Sequence, residues 1–73
     1  MKKLYLVTKI DENDNVSREY VTAPSKRDKV FKNPDIVKAE EITLPINDIE
    51  TALRKNGIAE HFIKHVVTDL TTK

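Results

Sequence analysis

The chain has 73 residues, with 13 Lys and Arg against 12 Asp and Glu, and its formal net charge is +1 at pH 7. This length predicts one small domain, residues 1–73, and the lack of cysteine excludes a disulfide framework, a thiolate zinc site and a cysteine nucleophile. No apolar run has the length of a membrane span or a signal peptide, so we expect a cytoplasmic protein without a membrane partner.

The first predicted element is a strand over residues 2–10, which are rich in β-branched and aromatic side chains. Both alternating sets of this strand contain apolar residues. Leu4 and Leu6 belong to one set, and Tyr5 and Val7 belong to the other. A strand that is apolar on both faces is usually covered on both sides, so we expect it to be the central strand.

A hairpin connects this strand to the next one. Residues 11–15 are all Asp, Glu or Asn, which favour turns because they accept backbone hydrogen bonds and tolerate positive φ. The return strand, residues 16–22, is more polar than the first. We therefore predict that it forms an edge of the sheet.

A short helix and a third strand are predicted next. Ser25 and Asp28 have the spacing of a capping box, which indicates a helix over residues 26–32. Residues 36–44 have the character of a strand. A right-handed crossover between the second and third strands gives the sheet order 2-1-3, with the doubly apolar strand in the centre.

Two helices complete the predicted fold. Asn47 and Glu50 indicate a helix start after Pro45, and Asn56-Gly57 indicates its end. A last helix over residues 58–70 has apolar residues every three or four positions. The prediction is an α+β domain with a β-β-α-β-α-α chain, in which a three-stranded antiparallel sheet is covered by the C-terminal helix pair.

Two patterns resemble metal sites, but neither provides a complete set of ligands. His61, His65 and Asp69 are spaced four apart on the last helix, but the first and third are about 12 Å apart along its axis. No further ligand completes a zinc site. The hairpin begins like a calcium loop, but Val16 and Thr22 stand where that loop needs Gly and Glu. We expect no metal and no other cofactor.

The sequence gives little support for catalysis. It has no nucleophile–base spacing and, with Gly57 as its single glycine, no glycine-rich phosphate loop. A chain this short also has little depth in which to exclude water from a reaction. We therefore expect a protein that is not an enzyme.

The leading functional hypothesis is a small protein-binding module. Its basis is the lack of catalytic patterns, together with a sheet that two short helices cover only in part. Aromatic and Arg side chains are favoured interface anchors, and a dense basic run follows the second strand. The predicted partner-binding residues are Tyr5, Arg18, Tyr20, Lys26, Arg27, Lys29 and Lys32. The edge at residues 16–22 is available to a partner or to a second copy, and a homodimer would stabilise a marginal core.

The alternative hypothesis is a small DNA-binding regulator. Residues 48–67 resemble a helix-turn-helix unit with Gly57 at its turn, although Leu53 stands where such units have a small residue. Its second helix would present His61, Lys64 and His65 to DNA. The basic residues 26–32 are a second candidate surface for phosphates. Nucleic acid remains the less favoured partner, because the exposed helix face offers one firm cation.

The chain shares no motif with a particular family. It is small, free of cysteine and rich in Lys and Asn, and in these respects it resembles small proteins carried by phages and mobile elements of AT-rich bacteria. The resemblance implies an inhibitor of a host enzyme or of a defence nuclease, and it assigns no residue.

Overall fold

The structure is a computed structural model that describes residues 2–72. It confirms the predicted α+β class and the predicted order of elements, except that a 3₁₀ helix replaces the first α-helix. The elements are β1 (Lys3–Ile10), β2 (Val16–Ala23), a 3₁₀ helix (Lys29–Lys32), β3 (Ile36–Glu41), α1 (Ile46–Lys55) and α2 (Glu60–Thr71).

The sheet is antiparallel and has the predicted order β2-β1-β3. Leu6 of β1 lies opposite Tyr20 of β2 and opposite Glu40 of β3, so these three side chains share one face. A register shift between Thr8 and Lys9 interrupts the pairing of β1 with β3. The pairing of β1 with β2 runs without interruption over eight residue pairs, which makes β2 the more regular of the two edges.

The two apolar faces of β1 enter two separate hydrophobic clusters, as its pattern predicts. On the helix side, the buried residues are Leu4, Ile49, Leu53, Ile63 and Val66. On the opposite side, they are Tyr5, Val7 and Ala23, with Phe31, Ile36 and Ala39 packed against them. Helices α1 and α2 therefore cover one face, and the connection between β2 and β3 covers the other.

The predicted helix over residues 26–32 is wrong. Only Lys29–Lys32 are helical, in a single 3₁₀ turn. Ser25 Oγ accepts the N–H of Arg27, and Asp28 Oδ1 accepts the N–H of Val30, so both side chains satisfy local turns instead of capping an α-helix. Phe31 alone joins the core from this segment. One apolar anchor and a following Pro34 cannot sustain several helical turns.

The boundaries of α1 differ from the prediction at its start and agree at its end. Asn47 is not the cap: the helix begins at Ile46 after Pro45, without a side-chain cap. Asn56-Gly57 ends the helix as predicted. Gly57 has φ +75°, its N–H bonds to Arg54 O at 3.1 Å, and the N–H of Ile58 bonds to Leu53 O at 3.1 Å, which is the Schellman arrangement.

Two further elements, β3 and α2, are shorter than predicted. β3 ends at Glu41 instead of residue 44; the N–H of Ile42 still bonds to Leu4 O and its side chain packs on the helix-side cluster, whereas Leu44 is exposed. α2 begins at Glu60 instead of residue 58, because Ile58 belongs to the turn that closes α1.

Candidate functional site

Helices α1 and α2 cover the helix-side face of the sheet incompletely. At one end of this face, Leu4 is buried under the helices, and Thr22 Oγ1 donates a 2.7 Å hydrogen bond to Asp69 of α2. At the other end, Ile10 and Val16 lie opposite each other beside the hairpin and are 37% and 61% exposed. Two large apolar residues on the same face are thus open to solvent.

A cleft of about 550 Å³ lies between this uncovered part and the turn that joins α1 to α2. Its apolar lining comes from Leu6 and Tyr20 of the sheet and from Ile58 and Phe62 of the helix pair. Asn56 Nδ2 lies 3.4 Å from the hydroxyl oxygen of Tyr20 and donates to it, which ties the turn to the sheet.

We use the name "open face" for the uncovered part of the sheet together with its side of the cleft. Its residues share the helix-side face by their alternation along β1 and β2. They are Leu6, Thr8, Ile10, Val16, Arg18 and Tyr20.

On the open face Arg18 is a cation that is unpaired within residues 2–72, whereas Lys38 and Glu40 of the neighbouring strand β3 form an ion pair with each other. On β3, Lys38 binds Glu40 and lowers the pKa of that carboxyl below its usual value, and more distant Lys26 and Arg18 contribute in the same direction. Arg18 is therefore the cation on this face that is free to bind a carboxylate or a backbone carbonyl of a partner.

The structure separates the predicted partner-binding residues into three groups. Arg18 and Tyr20 lie together on the open face. Tyr5 is 1% exposed, so its prediction as a contact residue is wrong: its ring packs edge-to-face on Phe31 at a centroid distance of 5.0 Å and belongs to the core. Its position in the strand that is apolar on both faces already favoured the core, because such a strand is usually covered on both sides.

The predicted basic residues form the third group. Lys26, Arg27, Lys29 and Lys32 are exposed on the connection between β2 and β3, and none of them forms an ion pair within residues 2–72. This connection packs on the face of the sheet opposite to the helices, so it is a surface distinct from the open face.

The residues predicted for DNA contact are exposed on α2, but acidic groups accompany them. His65 Nε2 lies 3.2 Å from Asp69, and Glu60 binds Arg54 of α1 at 2.7 Å. The Arg54 guanidinium lowers the pKa of Glu60, which keeps a negative charge at the start of this helix. This face is thus mixed in charge, which does not favour phosphates.

Residues 2–72 contain no group of three His, Asp or Glu side chains that could hold a metal ion. The structure does bring together one pair that the sequence did not indicate, namely Thr22 and Asp69, which are 47 positions apart. No local pattern marks such a long-range hydrogen bond. The cleft likewise depends on tertiary placement and has no motif of its own.

Comparisons with protein families, with curated proteins and with solved structures give no match. Within residues 2–72, no helix has the length and apolar character that a bilayer crossing requires.

Proposed function

We propose that this chain is a non-enzymatic protein-binding module that holds its partner on the open face. The observation that carries the proposal is the exposure of Ile10 and Val16 next to a cleft lined by Tyr20 and Phe62. In a small protein with few buried apolar residues, two exposed ones on the same face as an aromatic cleft indicate a surface that a partner covers.

The chemistry of the open face favours a protein over a nucleic acid. Its centre is apolar and aromatic, and Arg18 stands at its margin. Tyr and Arg are the side chains that most often dominate protein interfaces. Nucleic acid binding instead needs several cations that are free to contact successive phosphates. On this side of the sheet, Lys38 is already paired with Glu40 and is not free for such a contact.

The test is capture of a partner by the tagged protein from a native bacterial lysate treated with nuclease, with two matched variants. Ile10→Glu places a charge on the open face, whereas Val30→Glu places the same charge on the connection, where Val30 is 41% exposed. We expect the wild type and Val30→Glu to retain one stoichiometric protein and Ile10→Glu to lose at least ten-fold in affinity. Equal binding by all three would refute the open face as the contact surface.

Both variants must first be shown to fold, for example by their circular dichroism and urea midpoints. Ile10 is 37% exposed and Val30 is 41% exposed, so more than half of each side chain is covered, and we expect a similar loss of about 1–2 kcal/mol in unfolding free energy for both. Assaying the captured protein for enzymatic or nuclease activity, with and without the module, then tests the inhibitor role that the resemblance to phage proteins implies.

Binding of nucleic acid by the connection is the second candidate function. It rests on the four exposed cations at positions 26, 27, 29 and 32, none of which forms an ion pair within residues 2–72. If it holds, changing Lys26, Arg27 and Lys29 to Glu abolishes binding to duplex DNA, and binding by the wild type weakens steeply with salt. Loss of binding in Lys64→Glu instead would point to α2.

A further inference from the structure

β2 presents an unpaired edge that is long and regular. It runs for eight residues without a bulge or a proline, and its other edge is fully paired with β1. Native proteins commonly protect such edges with bulges, prolines, very short strands or charged side chains, and of these β2 has only the charges of Arg18 and Glu19. β3 has this kind of protection, because it is shorter and the register shift lies in its pairing.

The backbone groups at this edge alternate in direction. The N–H of Asp11 bonds to Asn15 O, and the next pair, Ile10 and Val16, is therefore not hydrogen-bonded to each other. By this alternation, the N–H and C=O groups of Val16, Arg18, Tyr20 and Thr22 point away from β1. Within residues 2–72, no backbone hydrogen bond outside the sheet reaches these four residues.

We propose that β2 pairs antiparallel with β2 of a second copy, forming a two-fold dimer with a continuous six-stranded sheet. Two registers keep seven residues of each strand paired: one is centred on Glu19 and pairs residues 16–22, and the other is centred on Tyr20 and pairs residues 17–23. The first places Glu19 opposite its own copy, which is unfavourable. The second places Tyr20 opposite Tyr20 and has no like charges opposite each other.

Charge complementarity supports the register centred on Tyr20. It places Arg18 of one copy opposite Thr22 of the other. The Thr22 hydroxyl is bonded to Asp69, whose contacts with Thr22, Lys2 and His65 all use Oδ2. Asp69 Oδ1 has no partner within residues 2–72, and neither has the Arg18 guanidinium. Pairing of the two copies brings these groups together twice, once on each side of the axis.

The dimer takes up Arg18 and Tyr20 at the margin of the open face, whereas the partner contact proposed above rests on Ile10 and Val16. Ile10 lies on the central strand and stays exposed when the edges pair. The two open faces then lie side by side on the same side of the six-stranded sheet. The interface of one strand pair and two ion pairs is small, so we expect a dissociation constant of about 1–100 µM.

Single cysteines test the register directly, because the chain has none of its own. In the proposed register, the Cα atoms of the two copies of residue 20 are about 5.5 Å apart, within the range of a disulfide. The two copies of residue 19 are beyond about 7 Å. We expect Tyr20→Cys to form a disulfide-linked dimer at least ten-fold faster than Glu19→Cys. The reverse order would overturn the proposed register.

Sedimentation equilibrium of the unmodified chain tests the dimer without altering Tyr20. We expect the wild type to dimerise in the stated range, Arg18→Glu to dimerise at least ten-fold more weakly, and Arg27→Glu to behave as the wild type. A wild type that stays monomeric at 1 mM would overturn the dimer. If such a monomer still captured its partner through Ile10, the proposed function would stand, whereas a dimer that captured nothing would refute the function alone.

Discussion

At the scale of single residues, Asp11 organises the hairpin. Its Oδ1 accepts the N–H groups of Asn13 at 2.8 Å and Asn15 at 2.9 Å. The bond from the Asn15 backbone is the largest cause of the lowered pKa of Asp11, whose ordinary value is 3.8. A carboxyl with a lowered folded pKa stabilises the fold above its unfolded pKa, and this contribution is lost as the pH falls through the folded pKa.

We therefore expect Asp11→Ala to lower the free energy of unfolding by the same amount at pH 7 and pH 5, and by less and less as the pH falls below 3.8. Urea unfolding across this range measures the difference. Glu12→Ala is the control, because the exposed Glu12 side chain makes no hydrogen bond or ion pair within residues 2–72. A constant difference down to pH 2 would contradict the role of the carboxylate.

The positive φ of Gly57 leads to a prediction that depends on backbone conformation and not on packing. Its φ is +75°, and a Cβ added there would meet no atom within 4 Å. Gly57→Ala should therefore cost about 1 kcal/mol from the left-handed backbone and nothing from packing. Gly57→Asn should cost less, because Asn tolerates this region better. Thermal or urea unfolding measures the stabilities of the two variants. Equal stability of the Ala variant and the wild type would contradict the Schellman turn.

At the scale of elements, the connection between β2 and β3 is held by one aromatic contact. Phe31 packs on Tyr5 and anchors this segment in the hydrophobic cluster on the face of the sheet opposite the helices. We expect Phe31→Ala to lower the free energy of unfolding by about 2 kcal/mol. Val30→Ala, a change at the exposed neighbour, should cost less than about 0.5 kcal/mol. Similar losses in urea unfolding would show that this connection does not cover the core.

The elements that could be predicted from sequence are those with strong local patterns. β1 has apolar residues in both alternating sets, and this feature together with the right-handed crossover predicted its place in the centre of the sheet. Asn56-Gly57 ended α1 for a steric reason that holds in any context. Ser25, Asp28 and Asn47 misled because Ser, Asp and Asn side chains satisfy turns as readily as helix caps.

At the scale of the whole molecule, the sheet separates two small hydrophobic clusters. The helix pair covers one face of the sheet, and the connection between β2 and β3 covers the other. The sequence predicted that some of the sheet would stay uncovered, and two of the predicted partner-binding residues, Arg18 and Tyr20, lie on that part of the sheet. The cleft and the exposure of Ile10 could not be predicted, because they depend on where the turn between α1 and α2 comes to lie over the sheet, which no local pattern specifies. The burial of Tyr5 instead follows from the two apolar faces of β1 and from the packing of Phe31 on the opposite side.

The measurement that tests the central claim most directly is methyl cross-saturation of the labelled protein by its captured, unlabelled partner. The claim is that the partner contacts the open face. It predicts strong transfer to the methyl groups of Ile10 and Val16 and little transfer to Val30 on the opposite side of the sheet. Strong transfer to Val30 with none to Ile10 and Val16 would contradict the claim and assign the contact to the connection.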